Sequence, residues 1–165
     1  PPAMPADLRC TPACKAPDGI RRPAMLALVR DVEGKPLTMH RTFLGDGCKA
    51  AMDEPRALMP GTLTDGACVR LSPVAKHIGL GEGIETALAA AGRFNIPTWA
   101  TLNSAMLKRW LPPEGVERVT IFGDNDPKFG GQAATFALAH KLAVKGLAVD
   151  VEIPSLVGKD WADAA

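Results

Sequence analysis

Apolar and polar positions follow two regimes along this chain, and the change falls near residue 76. Before it the pattern is broken. Residues 1–23 are rich in Pro, Cys and charge without any period, and read as an irregular lead-in. Residues 24–30 (AMLALVR) are a strand-like apolar run, 31–36 hold a turn cluster with Gly34, and 37–44 (LTMHRTFL) alternate as a return strand does. Together they predict a hairpin. Residues 45–73 are punctuated by Gly, Pro and Asp, with one short strand candidate at 67–71. From residue 76 the pattern becomes regular. A strand is expected at 77–80, running into Gly81-Glu82-Gly83, and then a helix over 84–94 built mostly of good helix formers. A second strand follows at 96–102, a short helix at 104–110, and a third strand from Arg118 after the Pro112-Pro113 connection. A long amphipathic helix is expected over 132–145, closed by Gly146, then a fourth strand over 147–153. This alternation predicts an α/β fold, a four-stranded, mostly parallel sheet with helices on both faces over residues 76–165. A small, irregular β-rich subdomain over residues 1–75 would precede it.

Composition refines this picture only slightly. With 165 residues, 47% of them apolar, the chain has enough to bury the core of one ordinary domain with an appendage. The net charge of +1 makes no global case for a nucleic-acid binder. Residues 1–79 nevertheless hold 11 Lys/Arg against 8 Asp/Glu, whereas residues 80–165 hold 8 against 10, so the early part is the one suited to face a polyanion. No run of 18 apolar residues and no signal-peptide pattern occurs, so a soluble, cytoplasmic protein without a membrane partner is expected. The chain opens Pro-Pro rather than with Met, which reads as an excised fragment or a processed form. Cys10 and Cys14 form a C-x₃-C pair that would suit half of a zinc site. No second tight pair follows, and His40 and His77 sit at no ligand spacing, so free thiols are the expected state.

Candidate chemistry concentrates in residues 117–138 (ERVTIFGDNDPKFGGQAATFAL). An apolar run over 119–122 breaks at Gly123 and delivers Asp124 and Asp126 onto a loop that Pro127, Gly130 and Gly131 keep open. In open α/β sheets ligands bind beyond the carboxyl ends of the strands. Two carboxylates so close repel each other, which favours a bound cation or a shifted pKa, and hard oxygen ligands suit Mg²⁺ or Mn²⁺. Asp-Asn-Asp-Pro is also ordinary turn chemistry. Convergence adds weight to the metal reading, because Glu82, the Asp124/Asp126 pair and Asp160 each follow a strand end on one edge of the sheet. Lys128 and Lys159 stand beside these acids, able to touch phosphate or simply solvated. Arg41, on the return strand, is shaped for phosphate contact, although a solvated Arg beside a satisfied His40 is the ordinary reading. Lys49, Arg56 and Arg70 are scattered cations in the same part, with no aromatic interleaving to make a stacking platform.

Taken together, these motifs resemble a Toprim domain, the metal-binding module shared by bacterial-type primases, topoisomerases and some nucleases. Its pattern is Glu-Gly after a first strand, Asp-x-Asp after a third, and a further acid after the fourth. Here these are Glu82-Gly83, Asp124-Asn125-Asp126 and Asp160. The stretches EGIETALAA, FGDNDPKFGGQAA and GKDWADAA are similar to Toprim domains of primases carried by phages, plasmids and other mobile elements, and residues 23–50 resemble the segment preceding them there. The resemblance implies an Mg²⁺- or Mn²⁺-dependent DNA primase that joins ribonucleoside triphosphates on a single-stranded DNA template, partnered by a helicase or by other domains of a longer primase. It implies Asp124 and Asp126 as metal ligands, with Glu82 as a further ligand or the general base. Asp160 and Asp163 would complete the acidic cluster, and Arg41, Lys128 and Lys159 would meet phosphate. Two departures stand out. Thr86 occupies the place, four residues after Glu82, where many primases carry an acid, and Glu85 lies one earlier. Asp160 and Asp163 are three apart, where the closing pair is often Asp-x-Asp. A Toprim metal-dependent nuclease and a non-catalytic nucleic-acid-binding module are the alternatives. The chain contains no Tyr, which excludes a type I topoisomerase acting alone. No Walker A lysine occurs, and GLGEG at 79–83 fails the dinucleotide fingerprint.

Overall fold

The structure, a computed structural model, describes residues 4–46 and 48–163. β1 (Leu8–Lys15) and β2 (Arg21–Arg30) open the chain as an antiparallel pair. Their turn is closed by the Ala16 N–H donating to Ile20 O, with Gly19 at φ +86°. Residues 8–15 are therefore not an irregular lead-in. They are legible only as backbone, because Leu8 alone in β1 is buried and the remaining side chains show no alternation. β3 (Pro36–Phe43) pairs the other edge of β2, placing Ala27 opposite His40 and Leu26 opposite Arg41, so the expected hairpin is present. β4 (Arg56–Leu58), which no local pattern indicated, adds to β3 with Thr42 opposite Arg56. β5 (Cys68–Val69) is the short strand expected at 67–71 and pairs the end of β2.

The second half alternates as expected: β6 (His77–Gly81), α1 (Ile84–Phe94), β7 (Thr98–Ala100), α2 (Ser104–Arg109), β8 (Arg118–Phe122), α3 (Gly130–Val144) and β9 (Ala148–Glu152). β7, β6, β8 and β9 form a parallel sheet in that order. Val69 of β5 pairs Ala100 of β7 in the antiparallel sense, which joins the early strands to this sheet. Among the described residues the order is β4-β3-β2-β5-β7-β6-β8-β9, with β1 on β2, so the β-rich part extends the same sheet.

Strand alternation sorts the core onto two faces. Ile78, Leu80, Val119 and Ile121 point to the face covered by Ala134, Leu138 and Leu142 of α3 and Leu107 of α2. Each of the Val, Leu and Ile side chains, fully removed from water, contributes about 1.5–3 kcal/mol. Phe122 points to the opposite face, against Ala90 of α1 and Trp161. The helix expected over 132–145 spans Gly130–Val144 and lacks the expected amphipathic character. Its inner face is buried, yet Phe136 is 56% exposed and Val144 74% exposed on the outside, so apolar residues surround it. Gly146, at φ +88°, terminates the helix as expected. Among the described residues no helix is long and apolar enough to cross a membrane.

The topology places a crevice. From β6 the chain moves through α1 to β7 on one side, and from β8 it moves through α3 to β9 on the other. Right-handed crossovers in opposite directions put α1 and α3 on opposite faces and open a gap beyond the carboxyl ends of β6 and β8. Gly81 and Phe122 are register partners at those ends, so Glu82 and Asp124 emerge beside one another. A side chain at Gly81 would stand 3.0 Å from the Ala87 backbone, which explains glycine where α1 lies directly on the strand.

Candidate active site

Beyond the switch point lies a cavity of about 360 Å³ whose walls include Glu82, Asp124, Asp160 and Asp163, with Lys49, Arg56, Glu85 and Thr86. Three different loops supply the acids. Glu82 follows β6, Asp124 follows β8, and Asp160 and Asp163 lie on the segment after β9. The expected convergence of carboxylates on one sheet edge is thus present.

Asp124 is the most perturbed of them. Its Oδ1 is buried and has no hydrogen-bond partner. Burial, then the charges of Glu82, Asp160 and Asp126, push its carboxyl from the ordinary 3.8 up to about 7, with Arg56 pulling weakly the other way. The Glu82 carboxyl is raised as well, first by burial and then by Asp126, although the backbone N–H of Ser104 and the charge of Arg56 oppose this. Asp126 sits differently. It is exposed, and its Oδ2 accepts from the Gly131 N–H at 2.7 Å, at the start of α3. Its charge still bears on both Glu82 and Asp124.

Asp160 is largely committed to the protein. Oδ1 accepts from the N–H groups of Ala162 at 2.8 Å and Asp163 at 2.9 Å, and Oδ2 accepts from Thr86 Oγ1 at 3.2 Å. The hydroxyl that replaces an acid in the sequence pattern therefore braces the last acid of the cluster. Trp161, 6% exposed, anchors this segment by edge-on contacts with Phe94 and Phe122 at centroid distances of 5.0 and 6.2 Å.

The cations divide in a way the local sequence did not reveal. Arg41 does not line the cavity. It donates to Lys15 O at 3.0 Å and its guanidinium lies 5.5 Å from the Phe43 ring. Lys49 and Arg56 stand at the acids instead, pairing with Glu85 at 3.0 and 3.9 Å. Burial alone would raise the Glu85 carboxyl, but its own backbone N–H and these two cations outweigh that and hold it low. The register of β4 on β3 delivers Arg56, a pairing with no local signal in the sequence. His40 is buried behind Arg56; burial and that cation lower its pKa, against the charge of Glu85. Lys128 is exposed on the loop after Asp126. Lys159 pairs with Asp163 at 3.7 Å and lines a second cavity with Arg93 and Trp161.

Among the described residues no three His, Cys, Asp or Glu side chains form a ready metal-binding group. The donor set nonetheless suits a hard divalent cation, because a buried carboxylate oxygen without a donor, among like charges, is relieved by positive charge. The four cysteines are free, with Cys10 exposed and Cys14 half-buried.

Residues 1–71 match a domain of unknown function (DUF7146). Among curated proteins none matches the chain. Solved structures do. The primase fragment of the bacteriophage T7 primase-helicase protein is 18% identical with a TM-score of 0.61, over 92% of this chain and 60% of that one. A DNA primase domain from Pseudomonas aeruginosa is 19% identical with a TM-score of 0.57, over 92% and 50%. A DnaG primase catalytic domain bound to single-stranded DNA is 14% identical with a TM-score of 0.58, over 92% and 52%. The chain thus spans about half to three fifths of the length of these structures, and the likeness is one of fold. The Toprim domain model matches residues 77–165, more than half of the sequence and the part that carries all five acids lining the cavity, so the chain belongs to the Toprim domain family.

Proposed function

We propose that this chain is the nucleotidyl-transfer core of a DNA primase, joining ribonucleoside triphosphates on a single-stranded DNA template with Mg²⁺ or Mn²⁺. The observation that carries this reading is the unpartnered, buried Asp124 Oδ1, set among Glu82 and Asp160 at the switch point with Lys49 and Arg56 across the cavity. The fold shared with primase cores supports it.

Glu82, Asp124 and Asp126 are the residues to hold the metal, with Asp160 and Asp163 closing the cluster. When bound, the metal supplies charge neutralisation for the triphosphate and for the oxygens of the phosphoryl transfer. Glu82 has a second task, since its raised pKa fits it to take a proton from an attacking 3′-hydroxyl. Lys49 and Arg56 meet the outer phosphates, releasing Glu85 as they do so. Lys128, on the loop after Asp126, and Lys159, on release from Asp163, meet the backbone phosphates of the strand. Arg41, tied to Lys15 O, steadies the early strands, which leaves the phosphate role assigned to it with Arg56. A helicase or further primase domains would supply template selection and movement.

The test is primer synthesis on single-stranded DNA with labelled ribonucleotides and Mg²⁺ or Mn²⁺, with Asp124→Asn as control. Short products that vanish in the variant are expected. Asp124-dependent cutting of the template without synthesis would replace this reading with a Toprim nuclease. DNA binding with neither reaction would make it a non-catalytic module.

A further inference from the structure

Asn125, the residue between the two aspartates, points away from the cavity into a small hydrogen-bonded network. Its Nδ2 donates to Pro154 O at 2.7 Å, on the segment after β9. Its Oδ1 accepts from Gln132 Nε2 at 2.8 Å, in the first turn of α3. Its backbone N–H donates to Lys159 O at 3.0 Å, and its own carbonyl accepts from the Gly158 N–H at 2.6 Å. Gln132 completes the network, with Oε1 accepting from the Asp126 N–H at 3.2 Å and Nε2 donating to Asp126 O at 3.0 Å.

Lys159 directly precedes Asp160, and Asn125 directly follows Asp124. The backbone neighbours of two repelling carboxylates are thus bonded to each other, while the side chains of Asn125 and Gln132 bind that junction to α3. Residues 155–159 are exposed, and the like charges of Asp160 and Asp124 act to push this segment away from the loop after β8. Both ends of every side-chain bond here are uncharged amides, so the network does not draw on the charges of the cluster.

We infer that Asn125 and Gln132 are positioning residues, a polar staple that fixes the separation of the Asp124 and Asp160 loops and so the shape of the site that takes a divalent cation. The metal arm of this inference rests on the reading of the site given above. Groups that orient ligands in this way characteristically change metal affinity by about ten- to a hundredfold when removed.

Two variants test it, Asn125→Ala and Gln132→Met, the latter keeping helix-compatible bulk and leaving the Asn125 backbone bonds in place. Thermal melting first establishes that each is folded at the assay temperature. Mn²⁺ affinity is then read by the loss of free-ion EPR signal, and amide hydrogen exchange is read at Gly158, Ala162 and Asp163. The expected result is faster exchange at Gly158, with Mn²⁺ bound about tenfold or more weakly by both folded variants. In the double variant the losses should be less than additive, because one network is removed twice. Folded variants that bind Mn²⁺ within twofold of the wild type would overturn the positioning role. If the wild type shows no Mn²⁺ binding that Asp124→Asn abolishes, the functional reading fails instead. Exchange then judges the staple alone: faster exchange at Gly158 upholds it and unchanged exchange overturns it.

Discussion

Replacing Asp124 by Asn should make the metal-free protein more stable, by an amount that grows as pH rises from about 4 to 7. The side chains are nearly the same size, so the cavity keeps its shape and the difference is one of charge. The Asp124 carboxyl rises from an ordinary 3.8 to about 7 in the folded state. At about 1.4 kcal/mol per pH unit the shift sets an upper bound of about 4 kcal/mol, and solvent screening at this partly exposed group leaves about 2 kcal/mol as the cost of ionising it in the folded chain. Below pH 3.8 the group is protonated in both states and the cost is absent. Between 3.8 and 7 the unfolded chain releases the proton while the folded one keeps it, so stability falls as pH rises. Above 7 the penalty is constant. Asn carries no charge at any of these values. Urea unfolding in EDTA should therefore show Asp124→Asn more stable by about 2 kcal/mol at pH 8, and by less than about 0.5 kcal/mol at pH 4. Adding Mg²⁺ should raise the wild-type midpoint more than that of the variant, which keeps Glu82 and Asp160 at the cavity but lacks the most perturbed charge. A variant no more stable than the wild type at pH 8, or a gain that does not change with pH, would refute this account of the site.

Other perturbations reach different parts of the same argument. In Gly131→Ala the new Cβ would stand 2.8 Å from Asp124 O and 3.1 Å from Asp124 Cβ. A loss of about 1–3 kcal/mol is expected from denaturant unfolding, and an unchanged midpoint would show that α3 can slide away from the loop. Trp161→Ala empties the cluster with Phe94 and Phe122. It should cost about 3–5 kcal/mol and weaken metal binding together with stability, since Asp160 is the adjoining residue. Thr86→Asp sets a carboxylate against Asp160, whose Oδ2 now accepts the hydroxyl at 3.2 Å. Its melting temperature should fall in EDTA and recover with Mg²⁺, and recovery without metal would count against the cation reading. Lys49→Ala and Arg56→Ala should each raise the KM for triphosphate about tenfold with a smaller change in kcat, measured in steady-state primer synthesis.

Much of the site is legible in the sequence because its acids obey a local rule. Glu82 and Asp124 sit where an apolar run ends at a glycine, and in a parallel sheet all such ends face the same way. The strand and helix periods from residue 76 onward gave element types and approximate bounds, so both the sheet and the edge that carries the acids could be read. The early strands were harder. β1 buries only Leu8, so its pairing leaves no alternation to read, and β4 is three residues whose existence depends on β3. That dependence explains why the sequence assigns a phosphate contact to Arg41 and leaves Arg56 among the scattered cations. An arginine's destination was set here by antiparallel register, with Arg56 opposite Thr42 carrying its guanidinium to Glu85 and the cavity, while Arg41 turned to Lys15 O.

The amino-acid sequence by itself determined the fold class, the order of the parallel strands' elements and the identity of the acids, because these follow from nearest neighbours along the chain. Tertiary structure decided which groups meet. It sent Asp126 to the start of α3 rather than into the cavity wall, gave Thr86 the task of bracing Asp160, and made Asn125 the junction of three segments. It also left apolar Phe136 and Val144 outward on α3, where a local period would have placed polar residues. Each of these outcomes turns on hydrogen bonds and contacts between residues distant in the chain. Such contacts depend on closing a loop and setting a register, and neither leaves a periodic trace in the residues themselves.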